Sequence, residues 1–440
     1  MPPKITQRER AAVLSSLAAG VVPKIGLYLI QVGRKEEVAA LIEDLKRVED
    51  SGACVRFVVG RFGAGKSFFL NLIRTVALER KLVVAQADIT TQRRLNASGG
   101  EARSFYSELM RNLATRGKPE GGALTSLVER WVGDVAASVS ASGGKPEDVE
   151  AKLHELCKPL QDLVCGYDFA NVVAQYYRGY LQQNEALQTA AVRWLRAEYA
   201  TKTEARTDLG VRSIIDDDTV YDYLKLFARF TRIAGYAGLV VCVDELVVLS
   251  HRLNNKIARN NNYEAILRML NDCLQGSVEG LGLIFAATDE SMYDKRRGLF
   301  SYDALATRLA ENRFASDTMV DLAGPILKLK NLTPEDCYVL LHNVRNVHAC
   351  GDTTKYAVPD EAIEAYLQSC AQRMGATYFQ TPRETIKDWV GLLNVLQQNP
   401  GADWKKLIGE IKTAAPQTVD PAVAEAKPDA GGDDLATFKL

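Results

Sequence analysis

Residues 60–67 read Gly-Arg-Phe-Gly-Ala-Gly-Lys-Ser, with four residues between a first glycine and a closing Gly-Lys-Ser. This spacing is the pattern of a loop that binds phosphate groups through its main chain. An apolar, β-branched run at residues 54–59 precedes the loop, and residues 67–81 follow it with apolar side chains at helical spacing. Strand, loop and helix in this order are the context that the pattern requires. We therefore predict a phosphate-binding loop here rather than a glycine-rich turn that happens to carry a lysine.

The residue types in this loop indicate what each would do. Backbone N–H groups of residues 63–66 would point at a β-phosphate, and the start of the following helix adds a favourable dipole. Lys66 would bridge the β- and γ-phosphates, and the Ser67 hydroxyl would hold Mg²⁺. The predicted nucleotide contacts in and beside the loop are Gly60, Gly63, Ala64, Gly65, Lys66, Ser67 and Phe68.

A second pattern distinguishes adenine from guanine as the base of the nucleotide. Guanine-binding proteins read the base with Asn-Lys-x-Asp, and the nearest approach to it is Asn-Lys-Ile-Ala at residues 255–258. Alanine cannot accept hydrogen bonds from guanine. The sequence therefore favours ATP over GTP.

Two acidic residues follow a second apolar run. Residues 238–243 read Gly-Leu-Val-Val-Cys-Val and are followed by Asp244 and Glu245. A continuous apolar run fits a buried parallel strand, whose carboxyl end lies where open α/β sheets bind their ligands. Asp244 would accept hydrogen bonds from water on Mg²⁺, and Glu245 would polarise the water that attacks the γ-phosphate. Downstream of a phosphate loop, these roles are favoured over an ordinary acidic strand end.

A third apolar run, residues 281–287, ends at Thr288. We predict that Thr288 lies between the acid pair and the γ-phosphate and helps to orient the attacking water. A threonine that caps the following helix explains the same residue type. The sequence leaves both interpretations open.

Arginines supply the remaining catalytic candidates. Arg308, followed by Arg313 and Arg297, is placed to enter the site of a neighbouring subunit, where its planar cation would stabilise charge on the γ-phosphate. Arg383, at a helix start beyond the sheet, is placed to reach back to the γ-phosphate from a lid. For each of them, a solvated arginine on a helix is the alternative. An arginine that acts across subunits implies a homo-oligomer.

The apolar runs also predict the architecture. Runs near residues 54–59, 82–88, 238–243, 281–287 and 325–329 predict a five-stranded parallel sheet in an α/β P-loop NTPase fold. The long interval between Lys66 and Asp244 predicts a helical insertion with a small core of its own. Its aromatic core candidates are Trp131, Tyr176, Tyr177, Trp194 and Tyr199. The predicted units are N-terminal helices with an adenine-pocket segment (1–50), an ATPase core in two parts (51–98 and 237–330), the insertion (99–236), a helical lid (331–412) and a disordered tail (413–440).

Composition limits the partners. The chain has 440 residues and a formal net charge of −1, so contact with nucleic acid would need a local patch. The candidate patch is Arg252, Lys256 and Arg259, in a loop at residues 250–262 that would be flexible and contact DNA phosphates or a neighbouring subunit. A mobile, solvated loop without a partner explains the same residues, and the sequence favours neither interpretation. No apolar run reaches the length of a membrane helix. Eight cysteines without a C-x-x-C pair and four histidines without zinc spacing predict reduced thiols in a cytoplasmic protein.

Residues 27–37 add a resemblance that bears on the base. Their apolar-Gly-Arg-x-x-Glu pattern resembles the segment that AAA+ ATPases of the origin-recognition branch place ahead of the first strand, where it lines the adenine pocket. The resemblance implies that Arg34 contacts the nucleotide. Without it, Arg34 and Glu37 form an ordinary surface pair on the first turn of a helix.

The whole set of motifs resembles one family. The loop at 60–67, the acids at 244–245, Thr288-Asp289, Arg-Arg-Gly at 296–298 and Thr-Pro-Arg at 381–383 resemble BrxD, the ATP-binding protein family of bacterial BREX phage-defence systems. The resemblance covers about residues 21–396. It implies an AAA+-like ATPase, distantly similar to replication initiators, that works with other BREX components on DNA. We expect no winged-helix DNA-binding domain after the lid.

Two functions remain open at this stage. In the first, an oligomeric ATPase drives or times assembly on DNA; a replication-initiator-like ATPase that loads DNA is a separate alternative within this class. In the second, a nucleotide-dependent scaffold turns over little ATP and exchanges partners as its lid moves.

Overall fold

The computed structural model describes residues 5–310, 312–314, 321–374 and 382–410. The predicted tail at 413–440 and the lid residues 375–381, 411 and 412 lie outside the described residues.

A parallel sheet of five strands forms the centre of the molecule. The strands are β1 (Ala53–Val59), β2 (Val83–Asp88), β3 (Leu239–Asp244), β4 (Leu281–Ala287) and β5 (Ile326–Lys328). Their order across the sheet is β2-β3-β4-β1-β5, and every neighbouring pair is parallel. The predicted five-stranded parallel sheet is therefore confirmed.

The register of the strands brings their carboxyl ends to one edge. Val59 of β1 pairs with Ala287 of β4, and Asp88 of β2 pairs with Asp244 of β3. Because β4 lies between β1 and β3, the residue after β4 lies between the loop that follows β1 and the acids that end β3.

Helices surround the sheet and form the rest of the described chain. In chain order they are α1 (Gln7–Ala18), α2 (Lys35–Glu49), α3 (Lys66–Glu79), α4 (Glu101–Arg111), α5 (Leu124–Ala141), α6 (Pro146–Leu156), α7 (Gly166–Leu181), α8 (Glu185–Leu195), α9 (Lys202–Leu209), α10 (Val220–Ile233), α11 (Lys256–Leu274), α12 (Asp289–Tyr293), α13 (Asp303–Arg308), α14 (Pro334–His348), α15 (Asp360–Met374), α16 (Pro382–Gln398) and α17 (Trp404–Glu410). Within the described ranges, none of them is long and apolar enough to cross a membrane.

Alternate side chains of each strand point to opposite faces of the sheet. Both faces are buried, each by its own hydrophobic cluster. On β1, Cys54 and Val58 pack with α2 and α3, whereas Val55 and Phe57 belong to a larger cluster on the other face. The Phe57 ring stacks on Phe285 of β4 with ring centroids 5.1 Å apart. Strands of β-branched and aromatic residues are therefore enclosed on two sides, as continuous apolar runs require.

The insertion does not have a separate core, so that prediction is wrong. Its aromatic residues belong to the same hydrophobic cluster as the sheet face that carries Phe57, with α4 packed on β2 and α10 on β3. Trp131 meets Phe230 edge to face at 5.0 Å, and Phe230 lies on α10. Helical spacing predicted which side chains are buried but could not show that the sheet covers them.

The described helices of the predicted lid, α14–α17, form one hydrophobic core together with α1. Trp389 of α16 is fully buried, donates from Nε1 to the Leu341 carbonyl at 3.1 Å and packs against Tyr366. Val13 and Leu17 of α1 belong to this lid cluster, whereas α2 packs on the sheet. The helices that the sequence placed together in residues 1–50 therefore lie on different parts of the fold.

A buried ion pair ties α2 to β1. Arg56 of β1 donates from Nε to Asp44 Oδ2 at 2.6 Å and from a terminal nitrogen to Asp44 Oδ1 at 2.8 Å, and both side chains are buried. Arg56 also donates to the Leu322 carbonyl at 2.9 Å. Because removing one member of a buried pair costs about 3–5 kcal/mol, this contact holds α2 and the segment before β5 onto β1.

Candidate functional site

The glycine-rich loop joins β1 to α3 at the carboxyl edge of the sheet. The Gly60 N–H donates to the Ala287 carbonyl at 3.2 Å, which holds the start of the loop against β4. Gly63 and Gly65 have φ of 78° and 85°, a conformation that glycine adopts without steric cost. A Cβ at Gly60 would lie 3.4 Å from the Ala64 Cβ, which is an ordinary contact distance, so the need for glycine is clearer at Gly63 and Gly65. The predicted order of strand, loop and helix is confirmed.

Lys66, the first residue of α3, folds over this loop. Its Nζ donates to the carbonyls of Gly60 at 2.9 Å and Arg61 at 3.0 Å. The ammonium therefore lies at the mouth of the loop. It also affects Asp289, where burial and the neighbouring Glu290 raise the pKa of the carboxyl group while the positive charges of Arg61 and Lys66 oppose that shift.

Ser67 and Asp244 are in direct contact although 177 positions separate them in the chain. The Ser67 hydroxyl donates to Asp244 Oδ2 at 2.6 Å, and Asp244 Oδ1 accepts the Glu245 N–H at 2.8 Å. Asp244 is 8% exposed at the end of β3. A hydroxyl and a carboxylate are oxygen ligands of the kind that Mg²⁺ prefers. The loop and the acid pair thus belong to one site, and their residues fit a magnesium ion.

Glu245 lies at a sharp turn directly after β3. Its φ of 61° is in the left-handed region, which costs a residue other than glycine about 1–3 kcal/mol and is characteristic of functional sites. The side chain is exposed and lines the same cleft as Lys66 and Ser67. The turn therefore presents Glu245 to the cleft instead of leaving it on the outside of the sheet.

Thr288 caps α12, as the alternative interpretation of the sequence held. Its Oγ1 accepts the Ser291 N–H at 3.2 Å, and its own N–H donates to the Ser291 hydroxyl at 2.9 Å. The residue is buried and also lines the cleft, between the loop and the acid pair. Capping and a place beside Asp244 and Glu245 are therefore compatible here, and the orientation of water by Thr288 stays a prediction.

Beyond the loop, the cleft continues into an apolar region between the N-terminal segment and the lid. Phe68 and Phe69 contribute from α3. The other apolar lining residues of this end are Leu17, Val21, Val22, Ile30, Val32, Val38, Leu332, Leu340 and Ile386. A phosphate-binding loop at one end and an apolar slot at the other match the two halves of a nucleotide.

Arg34 connects the N-terminal segment to the loop. Its guanidinium donates to the Ala64 carbonyl, and the same group lies 3.5 Å from where a Cβ on Gly65 would be. Burial lowers the pKa of Arg34, against the opposing charges of Glu37 and Asp336. Its Nε is buried without a hydrogen-bond partner among the described residues, so it offers a donor to a bound ligand. Arg34 is thus not part of an exposed surface pair, and the donor fits a polar group of the nucleotide.

Arg383 lines the cleft from the lid side. Its guanidinium carbon lies 5.1 Å from the centroid of the Phe62 ring, and Phe62 is part of the phosphate loop. A Cβ on Gly20, just after α1, would lie 3.6 Å from Arg383 Cδ. Arg383 therefore lies beside the phosphate loop, and its contact with a γ-phosphate stays a prediction. Sequence reasoning missed Phe62, because its partner depends on where the lid lies.

Arg308 does not line this cleft. It donates from Nε to Asn271 Oδ1 at 2.5 Å and from a terminal nitrogen to the Ala304 carbonyl at 3.2 Å. Arg313 is exposed. Arg297 is buried and donates to the His251 carbonyl at 3.2 Å, so its proposed reach into a neighbouring subunit is wrong.

The predicted DNA-contacting loop is also wrong in part. Residues Val248–Arg252 form one turn of π-helix, and α11 begins at Lys256 behind an Asn255 cap. Arg259 is 2% exposed and donates to the Leu253 carbonyl at 3.0 Å, so it faces the protein interior. Arg252 and Lys256 are exposed.

A comparison with protein families identifies the chain. The family described as BREX system ATP-binding protein BrxC/D matches residues 5–412. The chain belongs to this family. The resemblance inferred from the motifs is thereby confirmed, and the cleft is the candidate ATP site of a BrxC/D protein. No match was found among curated proteins.

Proposed function

We propose that this BrxC/D protein is a Mg²⁺-dependent, AAA+-like ATPase that acts in the cytoplasm and couples its ATP state to assembly with other BREX components on DNA. The observation that carries the proposal is the 2.6 Å contact between Ser67 of the loop and Asp244 of β3, with Glu245 next to it. It brings the residues expected for phosphate binding, metal binding and water activation into one cleft.

Binding would divide between the two ends of the cleft. The N–H groups of residues 63–66 and the Lys66 ammonium would hold the phosphates at the sheet edge. Arg34, through its unpartnered buried Nε, and the apolar residues of the lid would hold the nucleoside. Ser67 and Asp244 would hold Mg²⁺, which would neutralise phosphate charge when it is bound.

Hydrolysis would then use water activated at the strand ends. Glu245 would accept a proton from the water as its oxygen forms a bond to the γ-phosphorus and the bond to the ADP oxygen breaks. The place of Thr288 between the loop and Glu245 supports a role in orienting that water. The order of the strands supports the AAA+-like assignment, because β4 separates the loop strand from the acid strand.

The variant Glu245→Gln tests this proposal. It should keep ATP affinity close to that of the unaltered protein and lower turnover by about 100-fold or more, because a glutamine cannot take the proton. Fluorescent ATP-analogue titration and phosphate release measure the two quantities. Glu279→Gln is the matched control, since Glu279 is an exposed carboxylate that pairs with Arg229 away from the cleft.

The alternative function is a nucleotide-dependent switch with little turnover. The contact between Arg383 and Phe62 favours it, because the lid touches the phosphate loop directly. If the unaltered protein releases phosphate no faster than Glu245→Gln, the hydrolytic proposal fails and the switch remains. Mass measurement with and without a slowly hydrolysed ATP analogue tests the homo-oligomer, and Arg308→Ala tests whether that arginine serves a neighbouring site.

A further inference from the structure

A second concave region lies at the opposite end of the sheet from the ATP cleft. We call it the basal groove. It is lined by Lys81, Thr115, Arg116, Gly117, Lys118, Ser126, Leu127, Arg130, Gly235 and Tyr236. Lys81 and Tyr236 precede β2 and β3, whereas Asp88 and Asp244 end those strands. A strand of six residues is about 20 Å long, so a ligand in the groove would not touch a nucleotide in the cleft.

The groove is strongly positive in a chain that is almost neutral. Of the described residues that line it, four are cations and none is a carboxylate. Within the described part of the chain, Lys81, Arg116 and Lys118 are exposed and form no ion pair, while Arg130 lies 3.7 Å from the exposed carboxylate of Asp134. Uncompensated cations that converge in a concave surface raise the local concentration of anions. The groove is therefore suited to a polyanion.

The backbone that carries these cations is held firmly. Ala114 and Val84 exchange two hydrogen bonds, of 2.7 and 3.0 Å, which attach the segment before Arg116 to β2. Thr115 and Lys118 close the turn between them, and the Ala237 N–H donates to the Lys81 carbonyl at 3.0 Å. A scaffold fixed in this way loses little further freedom when a ligand binds.

The ring of Tyr236 favours a nucleic-acid strand over an acidic peptide as the polyanion. Tyr236 is half-buried in the groove, and the Arg130 guanidinium carbon lies 5.6 Å from its ring centroid. Rings and guanidinium groups beside a row of cations are the means by which proteins hold bases and phosphates of a single strand together. An acidic peptide would use the cations but does not carry an aromatic base beside each negative charge, as a nucleic-acid strand does.

We propose that the basal groove binds a single strand of nucleic acid, with Lys81, Arg116 and Lys118 on its phosphates and Tyr236 against a base. The proposal does not depend on ATP hydrolysis, because the groove is remote from the cleft. It also places the nucleic-acid contact away from Arg252 and Lys256, for which the sequence left DNA contact as one of two interpretations.

The test measures binding of a fluorescent 20-nucleotide DNA strand of mixed sequence to the full chain, by anisotropy over a salt series and without nucleotide. The triple variant Lys81→Ser, Arg116→Ser, Lys118→Ser should bind about 10-fold or more weakly at low salt. Its slope of log affinity against log salt should fall by about 2, at roughly 0.7 for each phosphate that the variant no longer neutralises. The control is Arg252→Ser, Lys256→Ser, Arg296→Ser, which changes the charge equally and should bind as the unaltered protein does. All six side chains are exposed.

Two further measurements separate the alternatives. Tyr236→Leu should weaken binding of the single strand several-fold, since a stacked base contributes about 1–3 kcal/mol, and leave binding of the same sequence as duplex unchanged. A labelled acidic peptide of equal charge should bind more weakly than the strand. The proposal is overturned if the unaltered protein does not bind the strand at low salt, if the control triple loses as much affinity as the groove triple, or if the peptide binds as tightly as DNA.

Discussion

The two walls of the ATP cleft are built differently. The sheet wall carries Asp244 at the end of β3 and Lys66 and Ser67 at the start of α3. These side chains bond to one another and to the loop backbone. The lid wall carries Arg383 on a helix whose hydrophobic cluster includes α1 but none of the strands. We therefore expect the sheet wall to hold its side chains in place and the lid wall to shift with little disturbance of the sheet.

The largest effect that would test this difference comes from removing one tryptophan from each cluster. Trp389→Ala in the lid and Trp131→Ala beside the sheet should each cost about 3–5 kcal/mol, because both side chains are buried. Segment-resolved hydrogen exchange should show loss of protection in α1 and α14–α17, but not in the strands, for Trp389→Ala. Trp131→Ala should weaken protection of the strands as well. If both variants reduced the hydrogen-exchange protection of the strands equally, the two walls would unfold as one unit.

A smaller effect is expected at the contact between the walls. Phe62→Leu removes the ring that faces Arg383, an interaction of about 0.5–1 kcal/mol at an exposed site. Because Arg383 would no longer have to leave this ring to reach a γ-phosphate, ATP should bind about two- to fivefold more tightly and ADP should be unaffected. Titration with both nucleotides measures this.

Phe314→Leu serves as the control for that change, since Phe314 is 87% exposed and does not line the cleft. Weaker ATP binding by Phe62→Leu would mean that the ring holds the nucleotide itself, and the lid wall would then be less independent than its packing indicates.

The smallest effect concerns pH. Burial, helped by the nearby positive charge of Arg10, lowers the pKa of His348 in the lid core, against a hydrogen bond to Asn394. The folded lid therefore binds the proton more weakly than the unfolded chain. Lid stability should be full above the unfolded pKa, near 6.5, and should fall as the pH drops toward the lower folded pKa, by less than about 1.4 kcal/mol per pH unit. Hydrogen exchange of the lid at pH 7.5 and 5.5 measures this, and His348→Asn should flatten the response.

Local pattern was enough to predict the sheet wall. The apolar runs marked the strands, and parallel strands must bring Ser67 and Asp244 to the same edge once both follow buried runs. The prediction did not require knowledge of contacts between distant parts of the chain, because the loop, the two acids and Thr288 each directly follow a strand. The apolar run before Thr288 could not show whether this residue caps a helix or orients water, since both roles place the hydroxyl at the carboxyl edge of the sheet.

The lid wall could not be predicted from local sequence pattern, because it depends on contacts between residues that are distant in the chain. Apolar spacing in α1 shows that Val13 and Leu17 face a core, but not that this core belongs to the lid. Arg259 was misassigned for a similar reason, because a basic residue in an asparagine-rich stretch was assumed to be exposed before the helical phase of α11 was known.

The inclusion of α1 in the lid has a mechanical consequence. The chain leaves the lid after α1 and passes to the sheet through residues 19–34, then returns to the lid through residues 329–333. The lid is thus attached through two covalent hinges, with the apolar slot between them. A body attached at two points can rock about the line that joins them but cannot swivel freely. Opening of the slot and withdrawal of Arg383 from the loop should therefore occur as one rotation.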